Sequence, residues 1–211
     1  ELFERKEKQL TPTYFMQGTY NALAGLVALS IKCMGYNNTY VSKGFAFENA
    51  LQDVMLQLAD NRQSNYLVGS YDEAASVQYN VNLREHHYKE EHINNLRLFE
   101  SKTTGSIQGE GSAFFTISGV PSDTTWCALK DLRIVYRPDD AEALSTALAS
   151  FLNDNDISYD QLDAWISGAS GDTERDILIH ALEYSTLSRT PQMRFKHLCG
   201  EYCTAASFAL W

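Results

Sequence analysis

Residues 42–71 read "SKGFAFENALQDVMLQLADNRQSNYLVGSY". After Gly44 the apolar residues Phe47, Ala50, Leu51, Val54, Met55 and Leu58 fall at i, i+3, i+4, i+7, i+8 and i+11. That spacing puts them on one face of a helix. The run "NYLVGSY" (Asn65 to Tyr71) then has the composition of a strand. A helix feeding directly into a strand predicts α/β architecture with short crossovers.

The flanks extend the pattern. Upstream, Leu2–Leu10 reads as a short charged helix stopped by "TPT", and Gln17–Gly35 has helical length with a glycine where a C-cap belongs. Ala22, Ala24, Gly25 and Ala28 keep that second helix small-faced, so another element can approach it. "NNTYVS" (Asn37 to Ser42) predicts a short strand running into the glycine turn. Downstream, residues 72–108 lack sustained periodicity and predict an irregular excursion with one short helix. Strands are expected at Ser112–Ser118 and within Thr124–Pro138, and helices at Asp139–Asp154 and Thr173–Tyr184. Between those helices Leu162–Asp172 reads as a strand entering a Gly-rich turn, so the helix–strand–helix pattern recurs after the excursion.

Composition bounds the function. Of 211 residues, 44% are hydrophobic and 21% charged, enough for a substantial core. The net charge of −10 argues against a basic surface for a nucleic-acid backbone. No apolar run reaches the length of a membrane span, so no membrane partner is expected. The four cysteines (Cys33, Cys127, Cys199 and Cys203) do not form a secreted disulfide framework, which points to a reduced, cytoplasmic setting. The chain begins with Glu, which reads as a piece of something longer.

Three glycine-containing turns stand out: Ser42–Ala50, Ser167–Asp176 ("SGASGDTERD") and Lys196–Tyr202 ("KHLCGEY"). Their order and surroundings resemble the β-ketoacyl synthases of the thiolase-like superfamily. "GEGSAFF" (Gly109 to Phe115) looks like that family's Gly-Glu-Gly-Ala strand start, and "KCMGYNNTYVSKG" (Lys32 to Gly44) like the segment before its nucleophile. The match runs from about Thr11 to the end. It is nearest to a divergent branch, the synthase-like proteins of aryl-polyene and flexirubin pigment clusters.

The resemblance implies an α/β thiolase-like fold of five layers, α-β-α-β-α, incomplete in this chain, with residues 1–211 as one ketoacyl-synthase-like domain. It implies no cofactor. The partners it implies are an acyl carrier protein and either an active ketosynthase subunit or a second copy of the chain. It also assigns positions. The nucleophilic Cys falls on Gly44, or on Phe45 one residue later; the first His falls on Ser170; the second falls on Glu201. Only Lys196 is kept. Glycine and phenylalanine cannot attack a thioester, and an ionised carboxylate accepts hydrogen bonds where an imidazole would donate. Condensation should therefore be lost.

Two readings follow for such a chain. In one it is a non-catalytic subunit of the chain-length-factor type, in which Phe45 and Phe47, with Gly171 and Asp172 on the later turn, shape or block an acyl tunnel. In the other it is a diverged acyltransferase or thioesterase using Glu201, Lys196 or Asp172, with Glu201 a buried acid of raised pKa. A carrier-binding scaffold without activity is a third. No metal is expected: His197, Cys199 and Cys203 lack the second pair that a zinc site needs. The histidines of "REHHYKEEH" (Arg84 to His92) read as a solvated loop.

Overall fold

The computed structural model describes residues 16 and 18–211, so the helix expected over Leu2–Leu10 lies outside the described residues. The chain divides into two compact units, one ending at Ser42 and the other running Lys43–Trp211.

In the first unit helix α1 spans Ala22–Ser30, shorter than the Gln17–Gly35 expected. Lys32 takes a left-handed conformation (φ 55°), and the amide of Cys33 donates to Ala28 O at 2.8 Å. This αL closure ends the helix before Gly35 is reached. The strand expected at Asn37–Ser42 does not form. A strand exists only through a neighbour's ladder, and among the described residues nothing pairs with this segment. Side chains tie it down instead: Asn37 donates to Ala24 O (3.2 Å), and Asn38 to the hydroxyls of Tyr36 (3.2 Å) and Tyr40 (2.9 Å).

The second unit opens with a 3-10 turn, Lys43–Phe45, that leads into α2, Ala46–Asp60. Phe47, Leu51 and Val54 are buried along one face of α2, as the spacing predicts. They pack with Val68 of strand β1 (Asn65–Asp72), and Phe47 meets Phe115 at 5.8 Å between ring centroids. Each such buried side chain contributes about 1.5–3 kcal/mol. Strand β2, Gly111–Ser118, pairs antiparallel with β1 from Asn65↔Ser118 to Asp72↔Gly111. The register sets Gly69 opposite Phe114, whose ring lies 2.0 Å from where a Cβ on residue 69 would sit. A side chain at residue 69 would require the half-exposed Phe114 ring to move.

Between β1 and β2 the excursion holds helix α3, Ser76–Arg84, and a 3-10 turn, Asn95–Glu100. After β2 the strand expected within Thr124–Pro138 is missing. Trp126 is 94% exposed, and the later part of the segment docks through side chains. Arg133 bonds Asp154 (2.7 Å) and lies over the Phe151 ring, both on helix α4, Ala141–Asp154. Asp140 caps α4 by accepting from the amide of Ala143 at 2.8 Å.

Strand β3 (Trp165–Ser167), helix α5 (Ile177–Tyr184) and strand β4 (Gln192–Arg194) follow, with β3 and β4 parallel; β3 is shorter than the Leu162–Asp172 run read as a strand, and the sequence reading has no strand where β4 forms. Helix α5 starts later than Thr173 because residues 171–176 form a turn around two aspartates. The chain then runs through the short helix α6, Lys196–Cys199, and α7, Ala206–Leu210. Ser207 of α7 and Ser70 of β1 share a buried hydrogen bond of 2.6 Å. Among the described residues no helix is long and apolar enough to cross a membrane.

Candidate functional site

The loop after β4 is built against the start of β2. The amide of Glu201 donates to Ile107 O (2.8 Å), and the amide of Gly109 returns a bond to Glu201 O (3.0 Å). This approach needs glycines on both sides. A Cβ on Gly109 would lie 2.0 Å from Cys199 O, and one on Gly200, whose φ is +76°, would lie 2.6 Å from Gly109 Cα. Gly111 in turn lets the Tyr202 hydroxyl approach. The Gly-Glu-Gly run thus serves close packing, while Glu110 accepts from the amide of Ala74 at 2.9 Å.

On that loop Lys196 Nζ donates to Glu201 Oε2 at 2.5 Å. The Glu201 side chain is 31% exposed and ion-paired, so it is not the buried acid considered above. Among the described residues the acid whose carboxyl is raised is Glu48, in the first turn of α2, where burial is the main cause. Its Oε2 is sealed from solvent without a hydrogen-bond partner. Cys199 donates to Gly200 O (3.3 Å), and burial pushes its thiol up, away from the thiolate a nucleophile needs. Burial also pushes the Tyr202 hydroxyl up to about 12.

The second turn is occupied with its own hydrogen bonds. The Asp176 carboxylate accepts from the amides of Ser170 (2.8 Å) and Gly171 (2.7 Å) and from the Ser170 hydroxyl (3.1 Å). Asp172 is 2% exposed and accepts from the amides of Glu174 and Arg175. Gly171 has φ +80° and sits against Leu98. Gly44 is exposed, and a Cβ there would meet nothing within 4 Å. Phe45 packs edge-on against Tyr136 at 6.3 Å. Phe47 belongs to the core.

Sequence reasoning missed the residues that join these turns. Lys89, in the segment read as a solvated loop, is buried at 7% exposure. It donates to Gly171 O (2.9 Å), Thr103 O (2.8 Å) and Thr103 Oγ1 (3.1 Å). Burial pushes its ammonium below the usual lysine range, against the pull of Glu91, Asp172 and Asp176. Ser106 donates to Ser170 O at 2.6 Å, so residues 106–109 touch both the Ser170 turn and the Glu201 loop. The neighbouring His87 bonds Arg175 through Nδ1 (2.5 Å) and Glu85 through Nε2 (3.2 Å). The His197 ring packs edge-on against Phe99, and among the described residues no group of three or more His, Cys, Asp or Glu is placed to hold a metal.

Neither a protein-family profile nor a curated protein matches the sequence. Solved structures do. The chain is similar to a β-ketoacyl synthase from Burkholderia phymatum STM815, with 16% identity and a TM-score of 0.69, over 98% of this chain and 55% of that one. It is also similar to the ishigamide ketosynthase/chain length factor, with 13% identity and a TM-score of 0.70, over 99% of this chain and 56% of that one. The chain spans a little over half the length of each. An α/β chain whose Gly-Glu-Gly strand start, Ser170 turn and Lys196–Glu201 loop are gathered in this way has the thiolase-like fold of the ketosynthases.

Proposed function

We propose that this chain is a ketosynthase-like subunit of the chain-length-factor type, without condensing activity of its own, working beside an active ketosynthase. The observation that carries the reading is the Lys196–Glu201 ion pair at 2.5 Å. A carboxylate stands where the resemblance expects an imidazole, and it holds the one retained cation. The candidate nucleophile position, Gly44, has no side chain to acylate. Burial pushes the Cys199 and Cys203 thiols up, away from the thiolate that a substitute nucleophile needs. In this reading the partners are an acyl carrier protein and a catalytic ketosynthase or a second copy, in a cytoplasmic fatty acid, polyketide or aryl-polyene pathway. One of the solved structures the chain is similar to is described as a ketosynthase/chain length factor.

The acyltransferase or thioesterase reading has less to draw on. Ser170 and Asp172 are engaged in holding their own turn, and Lys196 is engaged by Glu201. The deciding experiment is intact-protein mass after incubation with acyl-loaded carrier protein, with an active ketosynthase as positive control. No mass shift is expected, and co-purification should then recover a catalytic partner. A shift of one acyl group would overturn the proposal and point to Cys199, Cys203 or Ser170.

A further inference from the structure

Lys89 lies outside the three glycine-containing turns, yet its side chain runs into one of them. It is 7% exposed, and its Nζ donates to Thr103 O (2.8 Å), Thr103 Oγ1 (3.1 Å) and Gly171 O (2.9 Å). Three acceptors need three N–H bonds, which only the charged ammonium has. Other bonds hold the acceptors in place. The Thr103 hydroxyl gives its own proton to Glu91, so its lone pairs face Nζ. Thr103 O also accepts from the amide of Thr173 at 3.4 Å. Gly171 holds φ +80°, and its amide donates to Asp176 at 2.7 Å. The backbone of Lys89 is anchored separately, its amide donating to Ser106 O at 2.9 Å.

The charges around this turn point the same way. Asp172 and Asp176 are each 2% exposed. The half-exposed Arg175 reaches Asp172 at 3.6 Å, while Asp176 accepts from two amides and a hydroxyl. Two buried carboxylates on one turn are costly without positive charge close by. Carbonyl oxygens are also what replace the water shell of potassium in selective pores. Oxygens at 2.8–3.1 Å stand beyond the about 2.0–2.6 Å that magnesium and calcium take.

We propose that the oxygens of Thr103 and Gly171 form a monovalent-cation site, which Lys89 fills as a tethered ammonium. The cation, rather than the packing of the lysine stem, holds the Ser170 turn to residues 101–103. With the tether cut, the site takes a free cation of ammonium size: potassium, ammonium or a short alkylammonium. The inference stands whether or not the chain works beside a ketosynthase.

The test is chemical rescue of Lys89→Ala in the 211-residue chain. That change removes Cγ, Cδ, Cε and Nζ, and n-propylammonium supplies the same atoms. Urea midpoints are compared at equal ionic strength in the chlorides of n-propylammonium, potassium, ammonium and tetramethylammonium, each corrected by the same salt's effect on wild type. n-Propanol is the uncharged control. n-Propylammonium should restore at least half of the lost midpoint, and potassium and ammonium a smaller share. Tetramethylammonium and n-propanol should restore none. Equal recovery with n-propanol would show a packing site and overturn the proposal, as would no recovery or one shared by every salt. Should Lys89→Ala stay unfolded in every salt, nitrogen NMR of the wild-type ammonium in mild acid decides. Its protons should exchange with water more slowly than those of exposed lysines, and exchange at the ordinary rate would overturn the site.

Discussion

Gly109 faces the carbonyl of Cys199 so closely that a Cβ on residue 109 would stand 2.0 Å from that oxygen. Both are backbone neighbours with nowhere to move, because Gly109 N and Glu201 O are bonded at 3.0 Å just beside them. Gly109→Ala should therefore destabilise the fold by about 1–3 kcal/mol, the usual cost of forcing extra volume into a packed site. Gly111→Ala should cost less, since the atom it meets is the far end of the Tyr202 side chain. Urea unfolding of both variants checks the order, and an equal effect would contradict this account.

Lys89 should stabilise the Ser170 turn. Lys89→Met leaves the Gly171 carbonyl without its Lys89 donor and Thr103 O with only the 3.4 Å bond from the Thr173 amide, which should cost about 1–3 kcal/mol. The pH dependence has a definite sign. Burial lowers the Lys89 ammonium below its ordinary 10.5, so the folded state releases its proton first as pH rises. Between the lowered value and 10.5 the unfolded chain binds more protons, and stability from this group grows with pH. The difference between wild type and Lys89→Met should widen from pH 7.5 towards pH 10, as measured by denaturant midpoints. A constant difference would refute it.

Glu48 should behave in the opposite sense. Its raised carboxyl contributes stability that is complete below the ordinary glutamate range and is lost as pH rises through the folded value. Glu48→Gln should melt above wild type at pH 7.5, with the gap closing towards pH 4. Differential scanning calorimetry at the two pH values decides, and a lower Tm at pH 7.5 would show that the charge is better satisfied than Oε2 indicates.

Gly44 can accept a side chain. Its φ is not positive, and a Cβ there meets nothing within 4 Å. Gly44→Cys should stay within about 0.5 kcal/mol of wild type, as surface changes usually do. The new thiol should alkylate readily, yet no condensation should appear, because Ser170 and Glu201 supply no imidazole. Condensing activity in this variant would show that the missing thiol alone silences the chain.

Phe45 carries the chain-length reading. Its ring rests on Tyr136 and is not part of the buried cluster around Phe47. Under the proposed function, Phe45→Ala should lengthen or broaden the products of the pair formed with an active ketosynthase. An unchanged product profile, with the pair still assembled, would remove Phe45 from that role.

Local pattern was enough for α2, β1, β2 and α4, because each combines a clear period with a terminus its own residues define, such as Asp140 capping α4. Periodicity records which face is apolar, and that face is buried wherever the element is placed. Side-chain chemistry is also written in the sequence, so Gly44, Ser170 and Glu201 can be read there as residues that supply neither a thiolate nor an imidazole. Tertiary structure decided the rest. Segments 37–42 and 124–138 have strand-like composition but no ladder among the described residues, and pairing depends on a distant neighbour. Lys89 sits in "HHYKEEH", a charged run like any solvated one. Nothing within it reveals that Gly171, 82 positions away, supplies a carbonyl. That Glu201 is not a buried acid, and that burial acts on Glu48 instead, was likewise decided by packing, because burial is a property of what surrounds a carboxyl and not of the carboxyl itself.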